Sequence, residues 1–390
     1  MDSLDSLQEE SQELKVFLAD IAPKNLPKEI LEDRMNELEN LVETFWWIVI
    51  LTKLQKKDQP DTKTYIWSGK LEEITKEMIR TWANLLIIWN VLKPGQIFEI
   101  NEYLRAESEK AWLKEHIKAR DRIDLILKIF DKHADSVEAK LQIELAAIKH
   151  MWPRIFGMWM ELSRQWWNSG WWSGATRWLW ETNTERMKRH LKDKQQKIKD
   201  KLKEFEKMRD LHRQSRIKKG LPVIWIVWYT NAGKSSLLNA MTKKWVLAEN
   251  KLFATLGTNV GKMYVFTDAE KWIWKEVLLN DTIWFIRDLP PKLIDAFSST
   301  LEDSIENKFL LHIIDASDPF VSERINVVNE ILDDIWANQP RIMVFNKIDL
   351  IDQDKLNELK NTYKNENPIF ISVRDEIWLD DLKWIIAKMI

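Results

Sequence analysis

Residues 223–241 read VIWIVWYTNAGKSSLLNAM, and this stretch decides the fold of the second half of the chain. The apolar run 223–227 has the length and β-branched content of a buried strand, and a helical pattern follows Gly-Lys-Ser at 233–235. A strand, a loop and a helix that begins at Gly-Lys-Ser are typical of a phosphate-binding loop, where backbone N–H groups hold phosphate oxygens. The sequence therefore predicts a nucleotide phosphate site at this turn.

The side chains of this loop have separate expected roles. Lys234 reaches the outer phosphates as a point charge, and the hydroxyl of Ser235 binds Mg²⁺. One part of the GxxxxGK[ST] pattern is missing, because its first glycine is Trp228 here. The residues that we assign to the phosphate site are Trp228, Tyr229, Thr230, Asn231, Ala232, Gly233, Lys234, Ser235 and Ser236.

An aspartate and a set of polar residues follow the next predicted strands. Asp281 follows strand 276–280, where a P-loop protein keeps the aspartate that holds Mg²⁺ through water. A carboxylate after strand 341–345 accepts two N–H bonds that guanine offers and adenine does not, and a backbone amide after strand 369–372 would meet the guanine carbonyl. Asn-Lys-x-Asp alone is a weak signal, but the order and spacing of the whole set predict GTP and GDP as ligands. The guanine site is assigned to Asn346, Lys347, Asp349, Ser372 and Val373.

The pattern after residue 220 predicts an α/β fold. Gly220-Leu221-Pro222 is typical of the end of a helix and marks a domain boundary. We therefore predict a GTPase domain over residues 220–390. Near-continuous apolar strands alternate with helical segments, which favours a doubly wound, mostly parallel sheet with helices on both faces. The predicted strands are 223–227, 276–280, 310–314, 341–345 and 369–372.

The first half of the chain is predicted to form two further domains. Residues 1–118 have α/β texture, with helices at 33–44 and 71–79 and strands at 48–51 and 84–88. Residues 119–219 are predicted to form a helical hairpin, in which one helix over 120–150 and another over 181–219 are joined by a loop over 163–182. The second helix has 15 Lys and Arg against 7 Asp and Glu, a net charge of +8, which suits a phosphate backbone.

Composition limits the possible functions. The chain has 390 residues, no cysteine and a formal net charge of −2, so thiolate catalysis and Cys-ligated metal sites are excluded and a reducing cytoplasm is expected. The polar N-terminus is unlike a signal peptide, and the longest apolar run, 45–51, is too short for a membrane span.

Several stretches resemble the HflX family of translation-associated GTPases, within the Obg-HflX superfamily, and the resemblance covers nearly the whole chain. The 163–182 region resembles the family's SRQGG…GET loop through Ser163-Arg164-Gln165 and Glu181-Thr182. The other stretches are TYIWSGK at 64–70, EAKLQIEL at 138–145, YTNAGKS at 229–235, LFATL at 252–256 and DTIWFIRDLP at 281–290.

The resemblance implies a function and roles for individual residues. It implies GTP hydrolysis by a cytoplasmic, monomeric factor that binds the large ribosomal subunit and its rRNA and splits or rescues stalled or idle ribosomes. Lys234, Thr255 and Asp281 would be catalytic, with Ser235, Thr255 and Asp281 holding Mg²⁺. Thr258 is the alternative to Thr255 in switch I, and Trp284 takes the switch II position that contacts the γ-phosphate.

Two residues implied by the resemblance concern the rate of hydrolysis. Phe285 takes the place where Ras-like enzymes have a catalytic glutamine, and an apolar side chain does not orient water. Asn231 takes the position that ligates K⁺ beside the phosphates in some such GTPases, or it is a simple turn residue. We therefore expect slow basal turnover and an external activator.

The glycine and tryptophan counts are anomalous. The chain has 9 Gly and 23 Trp, whereas a usual glycine content of about 7% predicts about 27 glycines. Our hypothesis is that many of these tryptophans are glycines, because some bacterial lineages read UGA as glycine; Trp112 and Trp384 fit it least. The tryptophans that stand where the HflX family has glycine are Trp67, Trp180, Trp228, Trp284 and Trp378.

Other interpretations stay open at this point. A large-subunit assembly GTPase is one, because the Obg family shares the switch I wording. If Trp228 and Trp284 are real, the chain is a nucleotide-incompetent RNA-binding pseudo-GTPase, and the tryptophans at 166–180 would stack on bases. The sequence ends soon after the last predicted helix, so we expect no additional C-terminal domain of the kind found in some family members.

Overall fold

The computed structural model describes residues 14–45, 47–134, 136–150, 174–218, 220–229, 232–242, 260–268, 273–281, 287, 308–337 and 339–390. The chain divides into two compact units. The first comprises residues 1–132 and 143–199, and the second comprises residues 133–142 and 200–390. Among the described helices, none has the length and apolar character that a bilayer crossing requires.

The first unit is built on a parallel four-stranded sheet with the order β2-β1-β3-β4. Its strands are β1 (Lys15–Ala22), β2 (Ile48–Lys56), β3 (Leu85–Ile88) and β4 (Lys118–Asp121). The helices between and after them are α1 (Lys28–Glu43), α2 (Ser68–Thr81), α3 (Pro94–Lys110) and α4 (Arg122–His133). Helices α2 and α3 bury apolar side chains at three- and four-residue spacing, such as Ile74, Met78, Ile97 and Leu104, in one core with Phe17 of β1.

The predictions for this unit are confirmed in part. The helices expected at 33–44 and 71–79 are α1 and α2, and the strands expected at 48–51 and 84–88 are β2 and β3. Strands β1 and β4 and helix α3 had not been predicted. The predicted boundary between 118 and 119 falls within β4, and the division into 1–118, 119–219 and 220–390 stays a prediction.

The single helix expected over 120–150 is wrong. Helix α4 ends at His133, and a separate helix, α5, covers residues 137–150. Ser136 starts the new helix, because its Oγ accepts a hydrogen bond from the Ala139 N–H at 3.0 Å in the manner of an N-cap.

The long helix α6 (Gly174–Lys218) confirms the basic helix predicted at 181–219 and begins earlier. Residues 174–182 are therefore helical, and this part of the predicted 163–182 loop is wrong; residues 163–173 lie outside the described residues. Leu191 and Ile198, seven residues apart, are both buried. Lys194 of α6 pairs with Glu144 of α5 at 2.5 Å, and the hairpin itself stays a prediction.

The second unit contains a six-stranded sheet with the order β10-β9-β8-β5-β7-β6, in which only β6 is antiparallel to its neighbour. The strands are β5 (Val223–Trp228), β6 (Val260–Asp268), β7 (Ile273–Asp281), β8 (Phe309–Asp315), β9 (Arg341–Asn346) and β10 (Ile369–Phe370). The described helices are α7 (Lys234–Thr242), α8 (Val321–Asp334), α9 (Gln353–Thr362) and α10 (Leu379–Met389). This is the predicted doubly wound α/β fold.

The position of β5 matters for the site. It lies in the centre of the sheet, between β7 and β8, and the chain continues to both sides of it. In such sheets ligands bind at the carboxyl ends of the strands, where the strand order reverses. The β6–β7 hairpin at one edge had not been predicted; only 276–280 of β7 had been expected as a strand.

Candidate nucleotide-binding site

Gly233 lies at the turn between β5 and the helix that follows it. Gly233 has a φ of +87°, a left-handed conformation that glycine adopts without strain. A Cβ at this position would collide with the side-chain amide of Asn346. Gly233 is therefore required by both the backbone and its neighbour, and it places Lys234 at the first residue of α7.

Asn346 joins two loops of the site. Its Nδ2 donates to the carbonyl oxygen of Ala232 at 3.0 Å, and its Oδ1 accepts from the N–H of Val373 at 3.2 Å. The side chain is buried at the end of β9. Asn346 thus holds the phosphate loop and the loop after β10 in fixed positions.

The other predicted guanine residues lie together at the same edge of the sheet. Ser372 Oγ donates to Asp349 Oδ1 at 2.7 Å and accepts from the N–H of Asp375 at 3.1 Å. Lys347 has a φ of +63°, and its Nζ pairs with Asp315 Oδ2 at 2.6 Å. Ser372 orients the carboxylate expected to bind guanine, while Asp315, which sequence reasoning missed, holds the preceding lysine.

The backbone amide predicted after the last strand to meet the guanine carbonyl stays a prediction. The N–H of Ser372 itself donates to the carbonyl of Ile377 at 3.3 Å. The N–H of Val373 is engaged by Asn346. The described contribution of Ser372 is therefore its hydroxyl, because a short antiparallel bridge uses its amide.

Tyr229 connects the phosphate loop to two arginines. Its hydroxyl oxygen accepts from the backbone N–H of Arg287 at 3.2 Å and from the Arg324 guanidinium at 3.1 Å. The Arg324 guanidinium also lies 4.5 Å from the centre of the Tyr229 ring. Arg287 in turn pairs with Glu323 of α8 at 3.0 Å. Sequence reasoning missed these partners, although Arg287 lies within the stretch compared with switch II.

Asp281 is the last residue of β7, and its Cα pairs in register with Ile226 of β5. Its backbone therefore lies beside the strand that leads into the phosphate loop, and its role toward Mg²⁺ stays a prediction. The other predicted residues, Thr230, Asn231, Thr255 and Trp284, lie outside the described residues, as do Thr258 and Phe285.

The phosphate end of the site does not fit a nucleotide as well as the guanine end does. Trp228 is buried at the end of β5, and Lys234 Nζ lies 4.1 Å from the centre of its indole ring. A lysine of this motif has its ammonium group against phosphate oxygens, whereas here it lies over an aromatic face. The residue at 228 is therefore in conflict with the rest of the site.

This fold and this set of loops define a P-loop protein that binds a guanine nucleotide. Family profiles described as "GTP-binding GTPase N-terminal", "GTP-binding GTPase Middle Region" and "50S ribosome-binding GTPase" match residues 32–131, 133–216 and 223–347. The crystal structure of SsGBP with GDP has a TM-score of 0.53 and 26% identity, covering 96% of this chain and 98% of that one.

Relatives named GTPase HflX match most of the chain. The protein of Caldanaerobacter subterraneus subsp. tengcongensis is 40% identical over 352 residues, which are 90% of this chain and 76% of that protein. The protein of Escherichia coli is 33% identical over 88% of this chain and 76% of its own length, and that of Methanocaldococcus jannaschii is 32% identical over 91% and 82%. The chain belongs to the HflX family of translation-associated GTPases.

Proposed function

We propose that this GTPase binds the rRNA of the large ribosomal subunit and uses GTP hydrolysis to split or rescue stalled or idle ribosomes. The observation that carries the proposal is the basic helix α6 joined to a GTP-binding unit whose profile is described as a "50S ribosome-binding GTPase". The factor would act as a monomer in the cytoplasm.

The nucleotide would be held at both ends of the site. Lys234 and the start of α7 bind the phosphates, and Asp349, oriented by Ser372, reads guanine. Mg²⁺ would be held by Ser235, Thr255 and Asp281, whose hydroxyl and carboxylate oxygens are the ligands that this ion prefers. It would neutralise charge that develops on the phosphates during hydrolysis.

The basal rate of hydrolysis is expected to be slow. Phe285 follows the switch II position without a group that orients water, so the activating group must come from the ribosome or from K⁺ bound at Asn231. Stimulation of hydrolysis by large subunits and by K⁺ in place of Na⁺ would support these two roles.

Helix α6 supplies the surface for RNA. Many of its lysines are exposed, and each one that neutralises a phosphate releases a counterion, so binding weakens steeply with salt. The exposed lysines include Lys192, Lys197, Lys199, Lys203 and Lys207.

The experiment is sedimentation of the protein with purified large subunits at several salt concentrations. The variant K197E/K199E/K203E is expected to lower both the affinity and the slope of its salt dependence. The matched control is K28E, a charge reversal on α1, where the Lys28 side chain is 83% exposed. Equal losses in the two variants would contradict binding through α6, and absence of ribosome splitting by the active protein would contradict the wider proposal.

A further inference from the structure

We propose that Trp82, Trp112, Trp228, Trp336 and Trp378 are glycines in the protein that the cell makes, because their codons are decoded as glycine. The inference deepens the proposed function, because it assigns the residue type at one position of the GTP site. Its claim for position 228 rests on that proposed function. The other four positions rest on backbone geometry alone.

Three of the helices that the structure describes end in the same way, each with a tryptophan. The left-handed residue is Trp82 just after α2, Trp112 just after α3 and Trp336 just after α8, with φ values of 57°, 53° and 58°. In each case the next N–H bonds back to a carbonyl five residues earlier: Ala83 to Met78 at 2.9 Å, Leu113 to Ser108 at 3.1 Å and Ala337 to Leu332 at 2.9 Å. This is the Schellman ending of a helix, whose left-handed residue is usually glycine.

Tryptophan occurs at left-handed backbone positions more often than chance explains. Among the described residues, the non-glycine residues with positive φ are Tyr65, Trp82, Trp112, Trp336, Lys347, Asn367, Glu376 and Trp378. Half of them are tryptophans, although tryptophan makes up 23 of 390 residues. A Cβ clashes with the following carbonyl in this conformation, so a bulky residue is the least expected one.

The side chains at these four positions do not account for their presence. The exposed fractions are 70% for Trp82, 92% for Trp112, 78% for Trp336 and 59% for Trp378. Tryptophan contributes to a fold mainly by burying its large ring. Here the backbone conformation favours glycine and the ring buries little, so both observations point to glycine.

Position 228 adds a functional reason. The first glycine of a phosphate-binding loop lets the backbone approach the phosphates. The indole of Trp228 lies instead against the ammonium of Lys234, at 4.1 Å from Nζ to the ring centre. Glycine at 228 would free the lysine for phosphate oxygens.

The geometry also separates two tryptophans that the sequence had grouped together. Trp112 and Trp384 were the residues that fitted the glycine hypothesis least. Trp112 is at a left-handed helix end, whereas Trp384 is inside α10 and outside the left-handed region. The structure therefore assigns Trp112 to the glycines and makes no such demand at Trp384.

The first experiment is tandem mass spectrometry of the protein purified from its native host, which determines the residue at each of the five positions. Glycine at all five is the expected result. Tryptophan at these positions overturns the inference, whatever the protein hydrolyses.

The second experiment titrates a fluorescent GDP analogue into the recombinant chain as written, its W228G variant and the control W384G. We expect W228G to bind at least tenfold more tightly than the chain as written, and W384G to leave the affinity unchanged. Equal affinities of W228G and the chain as written overturn the inference at 228. Glycine by mass together with no GTP hydrolysis would instead refute the proposed function and leave the inference standing.

Discussion

Replacing Trp82, Trp112 and Trp336 together by glycine is expected to stabilise the protein, although it deletes three large apolar side chains. A non-glycine residue in the left-handed conformation costs about 1–2 kcal/mol. Glycine removes this cost, but its greater conformational freedom in the unfolded chain offsets about 0.4–1 kcal/mol of the gain. The indoles are 70–92% exposed, so little burial is lost.

The net gain is about 0.5–1 kcal/mol at each position, and the three positions end different helices, so the triple variant should gain about 1.5–3 kcal/mol in total. The assay is urea unfolding followed in each unit, with W82G and W112G tested in the first and W336G in the second. The control W384G places glycine inside a helix and is expected to lose about 0.5 kcal/mol. A triple variant less stable than the chain with its tryptophans would show that these left-handed positions do not favour glycine.

Three further perturbations follow from contacts inside the units. Burial raises the pKa of Asp20 from 3.8 to about 6. The protonated carboxyl therefore stabilises the folded protein at low pH, and this stabilisation is lost as pH rises through about 6. The gain in unfolding free energy from D20N should therefore be larger at pH 8 than at pH 3, by about 3 kcal/mol, and a pH-independent gain in urea unfolding would contradict this. D349A should weaken GDP binding to the W228G protein about 10- to 100-fold. S372A should weaken it less, because it removes only the hydroxyl that orients the Asp349 carboxylate. Equal losses of GDP affinity in the two variants would argue against this orienting role of Ser372. Y229F removes the hydroxyl oxygen that accepts from both Arg287 and Arg324, so it should lower the stability of the second unit by about 1–3 kcal/mol. The control Y264F changes an exposed side chain of β6 and should have no measurable effect. Similar unfolding curves for the two variants would count against a stabilising role of the Tyr229 hydroxyl.

The fold of the second unit was largely predictable, because its order is carried by local signals. The strand at 223–227, the Gly-Lys-Ser at 233–235 and the polar residues after 341–345 each identify one element and its place. The β6–β7 hairpin was missed in part, because an exposed edge strand that includes Tyr264 and Lys262 has no continuous apolar run.

The first unit was less predictable. Strand β4 has the sequence KARD and is defined by its pairing with β3, which no local pattern shows. The break between α4 and α5 depends on one capping serine, Ser136, within a stretch that has helical periodicity on both sides. The start of α6 at Gly174 was missed because a sequence rich in tryptophan and glycine hid the helical pattern.

The site was predictable as a set of residues but not as a set of contacts. The grouping of Asn346, Asp349 and Ser372 followed from parallel strand ends, whereas the hydroxyl role of Ser372 depends on a bridge to Ile377. The pairing of Lys347 with Asp315 joins two strands distant in sequence. Trp112 shows the same limit, since its backbone conformation could not be read from its neighbours.

The most direct test of the account is the rate of GTP hydrolysis by protein from the native host, measured with and without purified large ribosomal subunits. We expect slow hydrolysis by the protein alone and strong stimulation by the subunits. Hydrolysis that stays at the same slow rate when large subunits are added, or that is already fast without them, would contradict it.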